Sequence, residues 1–294
     1  MKKLCLGLAL AGLFVVAIVP ARAQFASSVI SYNSGAGFAA GYTVASEALG
    51  SPTLGAAVTP FAPPYAKSQL VSIGAGGEIT LQMSTPILNN PSDPHGINFI
   101  LFANEFFTEG SGGVVSGLYN HTAASSITVQ VSPDGSTWYT LNPSLAPQAG
   151  SLYPTSGSGN PQIAVNPSLT PADFTGQNLA GITLLYSGSA GGTGYDLAWA
   201  EDGSGDSVDL ASADYVQIDV QSGVLDLDAV SVVPEPSTWA LLGVGGLFLL
   251  CFKIIRQNRK VAGLGRLVPA GLLSSGQTRA DAVAKIQTCV GTGT

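Results

Sequence analysis

The central stretch of this chain, Phe25 to Val233, contains no cysteine. All three cysteines, Cys5, Cys251 and Cys289, lie outside it. No disulfide can staple the stretch, so a hydrophobic core has to hold it. Bases are almost as scarce. Lys67 stands alone there against sixteen acids from Glu47 to Asp228, an imbalance that the whole-chain charge of −7 conceals. A surface this acidic repels nucleic acid and anionic lipid, which excludes both as partners. It suits divalent cations, or neutral ligands such as glycans.

Helical periodicity is also missing: no run of ten or more residues in the stretch shows it. There is no solenoid repeat and no regular Thr-x-Thr ladder of the ice-binding kind. Enzyme signatures are absent too, with no G-x-S-x-G elbow, no H-E-x-x-H and no phosphate loop. The two histidines, His95 and His121, sit in Gly/Pro/Asn-rich contexts. Without a third nitrogen or sulfur ligand they make a poor zinc site.

The two ends of the chain are richer in signal. Lys2 and Lys3 precede an apolar core from Leu4 to Val19, and Ala21-Arg22-Ala23 is a small-x-small site before Gln24. This is the pattern of a secretory signal peptide over residues 1–23, removed on export. Near the other end stand Val233-Pro234-Glu235-Pro236-Ser237-Thr238-Trp239, an apolar run to Phe252, then Lys253, Arg256, Arg259 and Lys260. Two prolines around one acid cannot sit inside a helix, because each fixes φ and lacks an N–H. Residues 238–255 then read as a single transmembrane helix, short against the ~20 residues a bilayer needs. The bases behind it belong on the cytoplasmic side.

Proline-acid-proline, apolar helix and basic cluster in that order resemble the PEP-CTERM sorting signal of bacterial exosortase substrates. The resemblance implies that residues 234–260 are an address, with Pro234, Glu235 and Pro236 as the sorting motif. It also implies an exosortase-like membrane protease as partner and a transient inner-membrane anchor. Cell-surface or extracellular-matrix display follows. Residues 261–294 form a tail without a motif, apart from a capping box at Thr278-Arg279-Ala280-Asp281.

The exported region, residues 25–233, is about 210 residues long, the size of one all-β domain. Alternating runs predict strands over 78–83, 97–102, 126–131, 181–186 and 214–220, separated by Gly, Pro, Asn and Ser clusters. In the third run Ile127, Val129 and Val131 share one face and Thr128 and Gln130 the other. Ser132-Pro133-Asp134-Gly135 before Trp138 and Tyr139 predicts a hairpin. Residues 146–171 read as loop.

Together Gly74 to Leu81, Asn98 to Phe106, Val129 to Trp138, Gly194 to Trp199, Val208 to Leu210, Asp214 to Ile218 and Asp226 to Val230 resemble bacterial cell-surface jelly-roll proteins. The resemblance implies a galactose-binding-like antiparallel β-sandwich. Ala103 and Asn104 depart from that pattern, where a carboxylate and an asparagine are more usual.

Three sets of residues could carry chemistry. Glu201, Asp202, Asp206 and Asp209 crowd a Gly/Ser loop. Its oxygens suit calcium, which takes six to eight such ligands in irregular loops; equally, the loop reads as a solvated acidic surface. Asp226 and Asp228 lie two apart on a strand, where like charges either raise one pKa or share a cation. Trp138, Tyr139 and Tyr195 are candidates to stack on sugar rings, while Trp199 reads as core. The expected role is that of a non-catalytic structural or polysaccharide-binding module. The alternative is a glycan-acting hydrolase, with Glu105 and either Glu201 or Asp202 as its carboxylate pair.

Overall fold

The computed structural model describes residues 24–119, 126–147 and 153–234. The expected signal peptide, Glu235, Pro236, the helix over 238–255 and the tail lie outside the described residues, as does His121. Among the described residues no helix is long and apolar enough to cross a membrane.

The strands in chain order are β1 (Ala26–Asn33), β2 (Val71–Gly74), β3 (Gly77–Leu88), β4 (Phe99–Ala103), β5 (Phe106–Gly110), β6 (Val114–Tyr119), β7 (Ser126–Ser132), β8 (Tyr139–Leu141), β9 (Thr193–Tyr195), β10 (Ala200–Glu201), β11 (Ser212–Ser222) and β12 (Val224–Val232). A six-stranded sheet has the order β1-β3-β11-β7-β8-β10 and a four-stranded sheet the order β2-β12-β4-β9; β5 and β6 form a separate hairpin. Every ladder between these strands is antiparallel. The protein is all-β in architecture, as expected.

Alternation builds the larger sheet. Ile79 and Leu81 on β3 pair with Ile218 and Val216 on β11, which pair in turn with Val129 and Val131 on β7. These side chains are buried in one core with Phe99 and Leu101 of β4 and Leu225, Leu227 and Val230 of β12. Each such side chain contributes about 1.5–3 kcal/mol on burial. A handful of them exceeds the ~2–4 kcal/mol a disulfide adds, so the missing cysteines are no handicap.

The smaller sheet is buried on both faces, and all of β4 is inaccessible to solvent. Its second face packs Ile100 and Phe102 with Ile97, Ala164, Ala190 and Val233. Along β12 the residues facing the main core change from Leu225 and Leu227 to Val230 and Val232. A register shift between Leu227 and Ala229 makes that change possible, leaving Asp228 as the extra residue of a bulge.

A satellite core joins the β5–β6 hairpin to two short helices, α1 (Pro171–Phe174) and α2 (Leu179–Tyr186). Here the structure corrects the strand expected over 181–186. The Asn178 side chain caps α2 by accepting from the Gly181 N–H, and Ser187 closes it in a left-handed conformation. Ile182 and Tyr186, one helical turn apart, are buried, while Leu184 between them is 83 % exposed. Packing against Phe107, Tyr153 and Phe174 outweighs the strand propensity of the run.

Candidate functional site: the polar face of the six-stranded sheet

The same alternation that points apolar residues inward presents a row of polar side chains on the opposite face. One register line crosses all six strands: Ser31, Thr80, Gln217, Gln130, Thr140 and Glu201. A second line holds Ser28, Gln82, Tyr215 and Ser132, and a third Asn33, Glu78, Asp219 and Thr128. Adjacent strands lie about 4.8 Å apart, so the first line spans roughly 24 Å.

These side chains hydrogen-bond to one another. Thr80 donates its hydroxyl to Gln217 Oε1 at 3.3 Å, and Gln217 Nε2 donates to Asp219 at 3.0 Å. Gln82 Nε2 donates to the Tyr215 hydroxyl oxygen at 3.3 Å, and Gln82 Oε1 accepts from the Ser28 hydroxyl at 3.2 Å. Gln130 Nε2 donates to Thr140 Oγ1 at 3.1 Å. Each amide is thereby oriented and still has donor or acceptor capacity to spare, as has the Thr140 hydroxyl, whereas Thr80 is buried beneath the face. The middle of the face is uncharged, with Glu201 at the end of the first line and Glu78 and Asp219 in the third.

The turn between β7 and β8 borders this face. Asp134 Oδ1 accepts from the backbone N–H groups of Thr137 (2.7 Å) and Ser136 (2.8 Å), which hold its carboxyl well below the usual range. Gly135 takes φ +73°, and a Cβ there would stand 3.2 Å from Tyr215 Cζ. Glycine thus lets the Tyr215 ring lie against the turn. The expected hairpin is present, with Val131 opposite Tyr139.

The sequence-derived candidates fare differently. Tyr195 is fully buried, stacked on Phe99 with ring centroids 5.2 Å apart, and donates its hydroxyl to Pro147 O at 3.2 Å. Burial drives its pKa far above the ordinary tyrosine value, with the nearby Glu105 adding to the shift. It is a core residue and closed to a sugar. Tyr139 lies on the inward parity and packs against the main core, half-buried; Trp138 is half-buried just before β8. Trp199 packs against the core, as read from the sequence.

The acidic loop is organised by its own backbone. Asp202 Oδ1 accepts from the N–H groups of Ser204 (2.8 Å) and Asp206 (3.1 Å), and Glu201 accepts from Asn142 Nδ2. Asp206 and Asp209 are exposed. Among the described residues no group of three or more His, Cys, Asp or Glu side chains could hold a metal ion. Glu105, between β4 and β5, is fully buried.

Asp226 sits opposite Ser72 of β2, and its Oδ1 is buried with no hydrogen-bond partner among the described residues. Asp228 instead accepts from Thr53, and burial raises its pKa to about 7. Loss of water is what raises it, against the lowering effect of the two Thr53 hydrogen bonds.

The central residues of the face, Gln82, Gln217 and Tyr215, were not singled out in the sequence. Their signal was the polar half of an alternation whose apolar half defines the core.

Comparison with known proteins bears on the C-terminal end of this unit. No curated protein matches the chain. Residues 232–257 match the PEP-CTERM protein-sorting motif, so the chain carries a signal for export, membrane anchoring at its C-terminal end and processing by an exosortase-type membrane enzyme.

Proposed function

We propose that the exported domain is a non-catalytic module that lays a neutral polysaccharide along the polar face of its six-stranded sheet. Its place is the cell surface or the exopolysaccharide matrix, reached by exosortase-type sorting. The carrying observation is the register line Ser31–Thr80–Gln217–Gln130–Thr140–Glu201. Neutral sugars are recognised by amides and hydroxyls that both donate and accept, and these groups recur at the strand spacing, close to the length of one pyranose unit. A jelly-roll of the galactose-binding-like kind would be the scaffold.

Acids flank the face and bases are absent from it, which favours neutral over anionic chains. The hydrolase alternative needs two carboxylates open to a bound sugar, and the burial of Glu105 counts against it. The test is a binding isotherm of the sorted protein against neutral and uronate-rich polysaccharides. The neutral polymer should bind, and Gln130→Ala with Gln217→Ala should weaken it at least tenfold. Equal binding by wild type and the double variant would remove the face from consideration.

A further inference from the structure

The sorting motif begins inside the folded domain. β12, the strand that leads to it, lies between β2 and β4, and Ser231, Val232 and Val233 are all buried. Val232 packs in the main core and Val233 against Ile97, Ile100 and Phe102. The Val232 N–H donates to Gln24 O at 2.7 Å, and the Val233 N–H donates to Asn98 O at 2.9 Å. Pro234 follows and has no N–H to offer, so the ladder ends there.

The strand end is held by the residues expected to start the exported protein. Phe25 bridges Ser231 in antiparallel fashion. Phe25 O accepts from the Ser84 N–H at 2.9 Å, and Gln24 Oε1 accepts from Gln162 Nε2 at 2.7 Å. The expected signal-peptide cut, after Ala23, therefore falls flush with the strand that carries the sorting motif. The two processed ends of the domain are hydrogen-bonded to each other.

We propose that the fold sets the upstream limit of C-terminal processing: the bond cut by the sorting enzyme lies on the C-terminal side of Pro234, and the released protein keeps all of β12 latched by Gln24 and Phe25. This rests on the sorting reading. A protease binds its substrate as an extended strand with free backbone groups. Cutting at Val233 or before it would require breaking the bonds to Gln24 and Asn98 and drawing two valines out of two cores. Beyond Val233 only four residues, Pro234 to Ser237, precede the apolar run at Thr238. Fully extended they give the enzyme about 14 Å of chain. In the hydrolysis, the C–N bond breaks and water supplies the oxygen to the acyl carbon. The domain gains a carboxylate and the membrane segment a protonated amine.

Two measurements on the full chain test this. The detergent-solubilised protein is treated with a broad-specificity protease under native conditions and the resistant core is mapped by mass spectrometry. The core should end at Pro234 or later; trimming to Val233 or further in the folded protein would overturn the limit. The form released by the exporting host is then mapped. A C-terminus at Pro234, Glu235, Pro236 or later agrees with the proposal, and one at Val233 or earlier overturns it while leaving sorting intact. A surface form that keeps the chain through Thr294 overturns both.

Discussion

Thr53 grips Asp228 twice, its N–H donating to Oδ2 at 2.9 Å and its hydroxyl to Oδ1 at 3.0 Å. The contact ties the segment after the first strand to the bulge of β12, 175 positions away. Despite these two donors, burial raises the Asp228 carboxyl from 3.8 to about 7. Desolvation therefore outweighs the hydrogen bonds.

The shift has a direction in stability. The unfolded chain releases this proton near pH 4, while the folded protein keeps it until about pH 7. Between those values the folded state binds more protons, so the stability from this group is full below pH 4 and lost as pH rises towards 7. The swing is on the order of 4 kcal/mol. Asp228→Asn keeps an acceptor and gains a donor without a charge. Its melting temperature should exceed wild type by roughly 5–10 °C at pH 8 and converge with it near pH 4. Thermal scans from pH 4 to pH 8 check this, and a difference that does not vary with pH would refute it.

Helix α2 supplies a test of secondary structure by substitution alone. A strand would place Ile182, Leu184 and Tyr186 on one face, whereas the helix buries Ile182 and exposes Leu184. Ile182→Ala should cost about 2–5 kcal/mol in denaturant unfolding. Leu184→Ala should stay within about 0.5 kcal/mol of wild type. Comparable losses at both positions would contradict the helix.

Calcium offers a third check. The Asp202 carboxylate is already engaged by the N–H groups of Ser204 and Asp206, and Asp206 and Asp209 remain in solvent. Calcium and sodium at matched ionic strength should therefore shift the melting temperature equally, by screening the acidic surface. A calcium-specific rise of several degrees that disappears in Asp202→Ala with Asp206→Ala would assign the loop a coordinating role.

Sorting is open to the same kind of test. Replacing Pro234, Glu235 and Pro236 by alanine should leave the full-length chain in the inner membrane fraction of the exporting host. Surface display equal to wild type, measured by fractionation and immunoblot, would show that the triplet is not the recognition element.

Much of the larger sheet was legible because its two faces meet different solvents. β3, β7 and β11 bury one side and leave the other half-exposed, so period-two alternation marks them and sets their register. β12 was legible as a strand but not in its facing, because both of its sides are buried and a bulge at Asp228 reverses its parity midway. Tyr195 was misread for a related reason. An aromatic at a strand end looks like a binding residue, but β9 pairs with the fully buried β4 and carries the ring inside.

The sequence by itself determined that the protein carries a signal for export and sorting at residues 232–257, since that address is read as a linear motif from composition and order. It also determined the all-β class and the absence of disulfides within residues 25–233, which follow from alternation and from where cysteines stand. Only the tertiary structure decided which polar residues line up across six strands, because register depends on hydrogen bonding between segments up to 137 positions apart. It alone joined Gln24 to Val232 and Thr53 to Asp228. Such contacts leave no local trace in a chain, because each partner looks ordinary until folding brings the other within 3 Å.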